Sequence, residues 1–186
     1  KGATAGQYDG GTGTDTVALT SNTAVAATNF NNVKNIEAIT VANTNTAVAI
    51  TTQDTLVAAG ATLTLSNAAN SGILTFNGSA ETNGQFNITG GTGVDNITGG
   101  AGDDTFTFVA GTGLTTDTVN GGTGTDTVTL TGTTAVTATQ FNNVSNIEAI
   151  TLPDMVNTSV AITTVNALVA YGATLSLSNA ANASVL

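Results

Sequence analysis

The chain has no cysteine, no histidine and no tryptophan among its 186 residues, and its only basic side chains are Lys1 and Lys34. Without cysteine, neither a disulfide nor a thiolate metal site can form, so any staple must be of another kind, and a metal held by oxygen ligands is one. Without histidine or cysteine, a hydroxyl nucleophile lacks the adjacent base that activates it. No catalytic residue is assigned, and the chain reads as a non-enzyme. Twelve acidic residues against two basic ones give a net charge of −10. Phosphate neutralisation needs Lys and Arg, so nucleic acid is excluded as a partner and an anionic membrane is disfavoured. A divalent cation is favoured. No apolar run reaches the roughly 18 residues of a membrane span, so no transmembrane segment is expected, and no cleavable signal sequence is visible. Aromatic residues make up only 4% of a chain that is 40% apolar. A core built from Ala, Val, Leu and Ile must consist of thin layers.

The residues that are present repeat. "GGTGTDTVALT" from Gly10 returns as "GGTGTDTVTLT" from Gly121, and "FNNVKNIEAIT" from Phe30 as "FNNVSNIEAIT" from Phe141, both at an offset of 111 residues. "VAITTQDTLVAAGATLTLSNAAN" from Val48 matches "VAITTVNALVAYGATLSLSNAAN" from Val160 at an offset of 112. Both ends fall inside repeat units, so the native chain is expected to continue as a tandem array. Long fixed periods point to solenoids, propellers or modular arrays.

A shorter period sits inside the long one. "GGTGVDNIT" (90–98) runs directly into "GGAGDDTFT" (99–107), and "GGTGTDTVT" (121–129) and "GGTGTDTVA" (10–18) have the same form. "TGLTTDTVN" (112–120) fits loosely, as does "ETNGQFNIT" (81–89), which has Phe86 in the aspartate position. The consensus is G-G-x-G-x-D-x-U-x, with U large and apolar. Glycines permit a tight turn that aims several carbonyl oxygens at one point, and the aspartate adds a carboxylate. Calcium takes about six to eight oxygen ligands, more than one turn supplies, so two stacked turns must share an ion. The x-U-x segment is a short strand, with Val17, Ile97, Phe106 and Val128 directed inward. Two nine-residue units make one coil, so turn n stacks on turn n + 2.

These residues resemble the RTX nonapeptide family, whose repeats form a parallel β-roll with calcium between coils. The motifs cover about a third of the chain. The flanking pattern is similar to RTX-type surface-layer proteins and long surface adhesins. The resemblance implies metal ligands at Asp95, Asp104, Asp117, Asp126 and Asp15. It implies turn geometry and carbonyl ligands from Gly90, Gly91, Gly93, Gly99, Gly100, Gly102, Gly121, Gly122 and Gly124. One ion would be shared by the Asp95 and Asp117 turns and one by the Asp104 and Asp126 turns. Asp15 has Gly6 where the second copy has Asp117 upstream, so its site is empty or completed from outside the chain.

The expected fold is all-β, a parallel β-roll or β-solenoid. Residues 1–18 end one calcium-binding run, 19–80 form a stretch without calcium motifs, 81–129 form the main β-roll, and 130–186 repeat the motif-free stretch. In those stretches "IEAITV", "AVAIT", "ATLTLS" and "GILTF" read as short strands, which fit wider solenoid coils or a β-sandwich. "TNFNNVKN" and "TQFNNVSN" read as helical turns with Phe30 and Phe141 as buried plugs. "TTQDTLVAAG" and "TTVNALVAYG" read as short helices ending at Gly60 and Gly172. Glu37 and Glu148 are expected to face solvent between inward isoleucines, and Asp103, Asp9 and Asn120 to be solvated. The recurring Thr-x-Thr pairs fit an outer strand face far better than an ice-binding one.

The expected function is structural: an extracellular or cell-surface protein, secreted by a bacterial type I-like route. It folds on calcium and self-associates into a surface layer or fibre. The alternatives are the stalk of a large adhesin, or the calcium-binding appendage of a secreted enzyme or toxin.

Overall fold

The computed structural model describes residues 7–20, 24–42, 45–111, 113–152 and 160–178. They wind into a β-solenoid of about six turns, and every strand pairing is parallel. A β-sandwich of antiparallel hairpins is thereby excluded.

The longer sheet has eight strands that follow one another in chain order along the axis. They are β2 (Thr16–Leu19), β4 (Ala38–Val41), β6 (Thr62–Ser66), β8 (Gln85–Thr89), β10 (Thr105–Val109), β12 (Thr127–Thr131), β14 (Ala149–Thr151) and β15 (Ser176–Ser178). The opposite sheet has five: β5 (Val48–Thr51), β7 (Leu74–Asn77), β9 (Asn96–Thr98), β11 (Thr118–Asn120) and β13 (Val144–Ser145). A separate pair joins β1 (Tyr8–Asp9) to β3 (Val33–Lys34). The nonapeptide run and the Thr/Ala/Asn-rich stretches share these sheets, so the motif-free coils continue the solenoid.

Alternation within each strand builds the core. Successive residues of a strand point to opposite faces, and β6 alternates exposed and buried along Thr-Leu-Thr-Leu-Ser. The parallel register then stacks like on like. Val17, Ile39, Leu65, Ile88, Phe106, Val128, Ile150 and Leu177 form one column. Ile50, Phe76, Ile97, Val119 and Val144 form the facing one. Phe76 and Phe86 meet edge-on across the interior, with ring centroids 4.9 Å apart. Ile97, Phe106 and Val128 are fully buried as expected, whereas Val17, near one end of the stack, is only half-buried.

The extra residues 108–111 do not shift the register. β10 extends through Phe108 and Val109, which pair with Leu130 and Thr131, and Phe108 and Ala110 are buried. The "TNFNNVKN" segment does contain a 3-10 turn, Ala27–Phe30, and both Phe30 and Phe141 are buried plugs. The short helices expected before Gly60 and Gly172 are absent, and both segments form tight turns instead. The reason lies in the neighbouring coil. The Thr55 and Leu56 carbonyls accept the Asn35 and Ile36 N–H groups, and those of Ala167 and Leu168 accept from Asn146 and Ile147. A helix would have consumed those carbonyls internally. Gly60 and Gly172 still end the segments at positive φ, 73° and 83°. Among the described residues no helix is long and apolar enough to cross a membrane.

Inward and outward positions of one strand should respond differently to truncation. Leu65→Ala should cost about 2–5 kcal/mol, and Thr64→Ala less than about 0.5 kcal/mol, by chemical denaturation. Equal losses would contradict the register.

Candidate functional site

Turns at the two edges of the solenoid carry the sequence motif. One edge holds residues 67–73, 90–95 and 113–117, which lead from the eight-stranded sheet to the five-stranded one. The opposite edge holds residues 78–84, 99–104, 121–126 and 146–148.

Four motif aspartates, Asp95, Asp104, Asp117 and Asp126, turn inward and bind the backbone of the adjacent coil. On the first edge, Asp95 Oδ1 accepts the Leu74 N–H at 2.8 Å, and Asp117 Oδ1 accepts the Asp95 N–H at 2.8 Å. On the second, Asp104 Oδ1 accepts the Phe86 N–H at 2.7 Å, and Asp126 Oδ1 accepts the Asp104 N–H at 2.8 Å. The expected stacking of Asp95 on Asp117 and of Asp104 on Asp126 is therefore present. Phe86 and Leu74 occupy the aspartate position where the two ladders end.

All four aspartates are buried, at 0–1% exposure. The second oxygens of Asp95 and Asp104 accept the Gly91 and Gly100 N–H groups at 2.9 and 2.8 Å. Those of Asp117, Asp126 and Asp15 are buried without a partner. Burial pushes the carboxyls upward, Asp104 and Asp117 to about 6 and Asp126 to about 7, and it raises Asp95 as well. Backbone N–H donors oppose that rise, and neighbouring carboxylates add to it for Asp104, Asp117 and Asp126. Among the described residues no basic side chain relieves it. Lys34 is engaged by Asp9 at 3.0 Å.

The glycines let carbonyls of neighbouring turns approach the backbone closely. A side chain on Gly91 would strike the Asn70 carbonyl oxygen, one on Gly102 that of Gly84, one on Gly122 that of Gly100, and one on Gly99 that of Gly121. Side chains on Gly93 and Gly124 would meet the carbonyls of Gly72 and Gly102 in the same way, a Cβ on Gly100 would lie 3.0 Å from that of Glu81, and Gly121 is closed off by that of Asn146. Gly90 differs, since the Phe108 ring fills the space beside it. No three carboxylates converge among the described residues. A cation held here would take its remaining oxygens from carbonyls, the ligand class that calcium accepts.

Two expectations are corrected. Glu37 and Glu148 do not simply face solvent. They are half-buried, and their Oε2 atoms accept the N–H groups of Asp15 and Asp126 at 2.8 and 2.9 Å. Each thus continues an aspartate ladder, and Asp15 has its stacking partner within the chain. The signal was spacing: each glutamate lies 22 residues after its aspartate, as Asp126 lies after Asp104. Asn120 is half-buried and bonded rather than solvated. Asp9 and Asp103 are exposed as expected, although Asp103 accepts the Thr125 N–H and Asp9 is paired with Lys34. Sequence reading also missed Glu81, which is 1% exposed, with one oxygen accepting the Asn83 and Gly84 N–H groups and the other unpartnered.

The raised carboxyls fix the sign of a pH response. In the metal-free chain, unfolded aspartates titrate near about 3.9 and the folded ones near 6 to 7. The folded state holds more protons across that interval, so stability is fully present below pH 4 and is lost as pH rises to 7. Thermal melts in chelator should show a falling Tm from pH 4 to 7, with a shallower slope in Asp126→Asn. A Tm that rises across this range would contradict the assignment. Comparison with protein-family models, with curated proteins and with solved structures gave no match.

Proposed function

We propose that this chain is a structural, extracellular repeat protein that folds on binding calcium between its coils and self-assembles into a surface layer or fibre. One observation carries the reading. Four aspartates with 0–1% exposure lie in two stacked ladders, in a chain with only two basic residues. An unpaired buried ion costs several kcal/mol. A divalent cation between the turns supplies the missing charge, and the facing carbonyls supply further ligands.

Asp95 with Asp117, and Asp104 with Asp126, would hold the ions. The resemblance to RTX nonapeptides supports calcium over other hard cations. Without the metal at neutral pH, the ladders repel and the glycine turns are costly to order. The chain then stays unfolded where calcium is scarce and folds outside the cell, where calcium sites of extracellular modules in general work in the range of about 10⁻⁴–10⁻³ M. Two outer features favour lateral packing. Only 8% of residues are charged, and the outer face of the long sheet carries columns such as Thr40, Ser66, Thr89, Thr107, Thr129 and Thr151.

Circular dichroism at neutral pH should show strand structure in calcium and loss of it in chelator. Asp104→Asn should raise the calcium needed for half-folding at least tenfold, or about 1.4 kcal/mol. Electron microscopy of the calcium form should show sheets or filaments, whereas extended monomers would favour the adhesin stalk. A chain equally folded with calcium and with chelator would defeat the proposal.

A further inference from the structure

The four complete nonapeptide turns do not share one backbone. In the turns 90–95 and 99–104, the aspartate's second oxygen is occupied by the N–H of the second glycine, Gly91 or Gly100. In the turns 10–15 and 121–126 that N–H goes elsewhere. Gly11 donates to Asp9 Oδ1 and Gly122 to Asn120 Oδ1, both at 3.2 Å. The glycines at the second and fourth positions of these two turns take positive φ: 89° and 122° at Gly11 and Gly13, 107° and 130° at Gly122 and Gly124. The aspartate Oδ2, on Asp15 and on Asp126, is left buried and unpartnered.

The residue before the glycine pair separates the two forms. It is Asp9 or Asn120 in the open turns, and Thr89 or Thr98 in the closed ones. An Asp or Asn side chain reaches the N–H two residues on and holds it in an Asx turn.

The next coil is built to match the open form. In copy 1, Asn35 Nδ2 donates to Asp9 Oδ1 at 2.7 Å, and in copy 2, Asn146 Nδ2 donates to Asn120 Oδ1 at 2.8 Å. Both asparagines sit at positive φ, 51° and 52°. That conformation brings the carbonyls of Asn35 and Asn146 against Gly10 and Gly121. At Gly121, the Asp126 Oδ2 crowds the same point as the Asn146 carbonyl oxygen. Two residues further on, Glu37 and Glu148 accept the Asp15 and Asp126 N–H groups.

We infer that Asp126 with Asn146 and Glu148, and Asp15 with Asn35 and Glu37, each form an additional cation site, in which the Asn-Ile-Glu of one coil completes the glycine turn of the coil before it. Two observations carry it beyond a cluster of acids. Asp126, at 1% exposure, presents an unpartnered oxygen beside the Asn146 carbonyl. The glutamate contact and the asparagine bond recur in both copies. A hard divalent cation suits the set, with carboxylate oxygens from both coils and a carbonyl from the asparagine. The copy 1 site is the more open, because Asp15 is only half-buried.

The inference rests on the reading of the chain as calcium-binding, and the test separates the two. Calcium stoichiometry is measured by equilibrium dialysis on the 186-residue chain, on Glu37→Gln, on Glu148→Gln and on the double variant. Glutamine keeps an acceptor for the aspartate N–H, so strand content at saturating calcium should be unchanged. The expected result is the loss of one bound ion per glutamate replaced. A double variant that binds as many ions as the parent overturns this inference and leaves the broader reading standing. A parent chain that binds no calcium overturns both. Asn120→Thr gives a second route that leaves the glutamate intact. It should convert the open turn to the closed form and remove one ion, and an unchanged count there also overturns the inference.

Discussion

The register of one coil on the next is the constraint on which the rest of the molecule depends. A shift by a single residue would move every inward side chain to the outside. It would also separate each aspartate from the N–H it accepts and each glycine from the carbonyl it admits. The paired positions in the long sheet step by as few as 18 residues, Ile88 to Phe106, and as many as 27, Ile150 to Leu177. The sheet absorbs that variation without slipping because the extra residues go into turns or strand ends. Phe108 and Val109 simply lengthen β10.

That register brings together two kinds of column with opposite energetics. The apolar columns stabilise the stack wherever they occur, by about 25 cal/mol per Å² of apolar surface removed from water. The carboxylate ladders do so only in part. Backbone N–H groups hold the aspartates in place and favour their charged form, while burial disfavours it, and burial wins at all four positions. The ladders are confined to the glycine turns and the coils beside them. Other coils are joined by uncharged groups, as at Asn70, whose Nδ2 reaches Asn67 Oδ1 and the Thr46 carbonyl, or by an exposed carboxylate, as at Asp54, which accepts the Thr82 N–H and hydroxyl. Buried unpartnered carboxylate oxygen is therefore unevenly distributed, concentrated in the glycine turns and sparse in the Thr/Ala/Asn-rich coils.

Much of this was legible in the residues. A strict period with one large apolar residue per unit states both the strand and its inward face, and residues 90–107 display it without interruption. Phe30 and Phe141 as plugs followed from their isolation in polar segments. The failures have a common physical source. "TTQDTLVAAG" has helical spacing, but its carbonyls are claimed by the coil beside it, and a claim from a neighbour 20 residues away leaves no local trace. Glu37 and Glu148 read as solvent-facing because a single strand was considered alone. Their role exists only relative to Asp15 and Asp126, one coil earlier. In a solenoid the informative comparison is between residues one coil apart, and the 22-residue interval carried information that the alternation pattern did not.

Comparison one coil apart also separates two backbones of one nonapeptide. The hexapeptide Gly-Gly-Thr-Gly-Thr-Asp is identical at 10–15 and 121–126, and both adopt the open form. Gly-Gly-Thr-Gly-Val-Asp at 90–95 differs by one side chain, which is exposed, yet adopts the closed form. The two forms differ also in what lies outside the hexapeptide. In the open turn at 121–126 the preceding Asn120 accepts the Gly122 N–H and is itself held by Asn146 in the coil beyond, whereas Thr89 precedes the closed turn. Where the preceding side chain takes the N–H of the second glycine, the motif aspartate keeps its second oxygen unpartnered; where it does not, that oxygen is spent on its own turn. The surroundings of the aspartate in such a turn are a property of two consecutive coils, and a consensus read along one coil alone does not contain them.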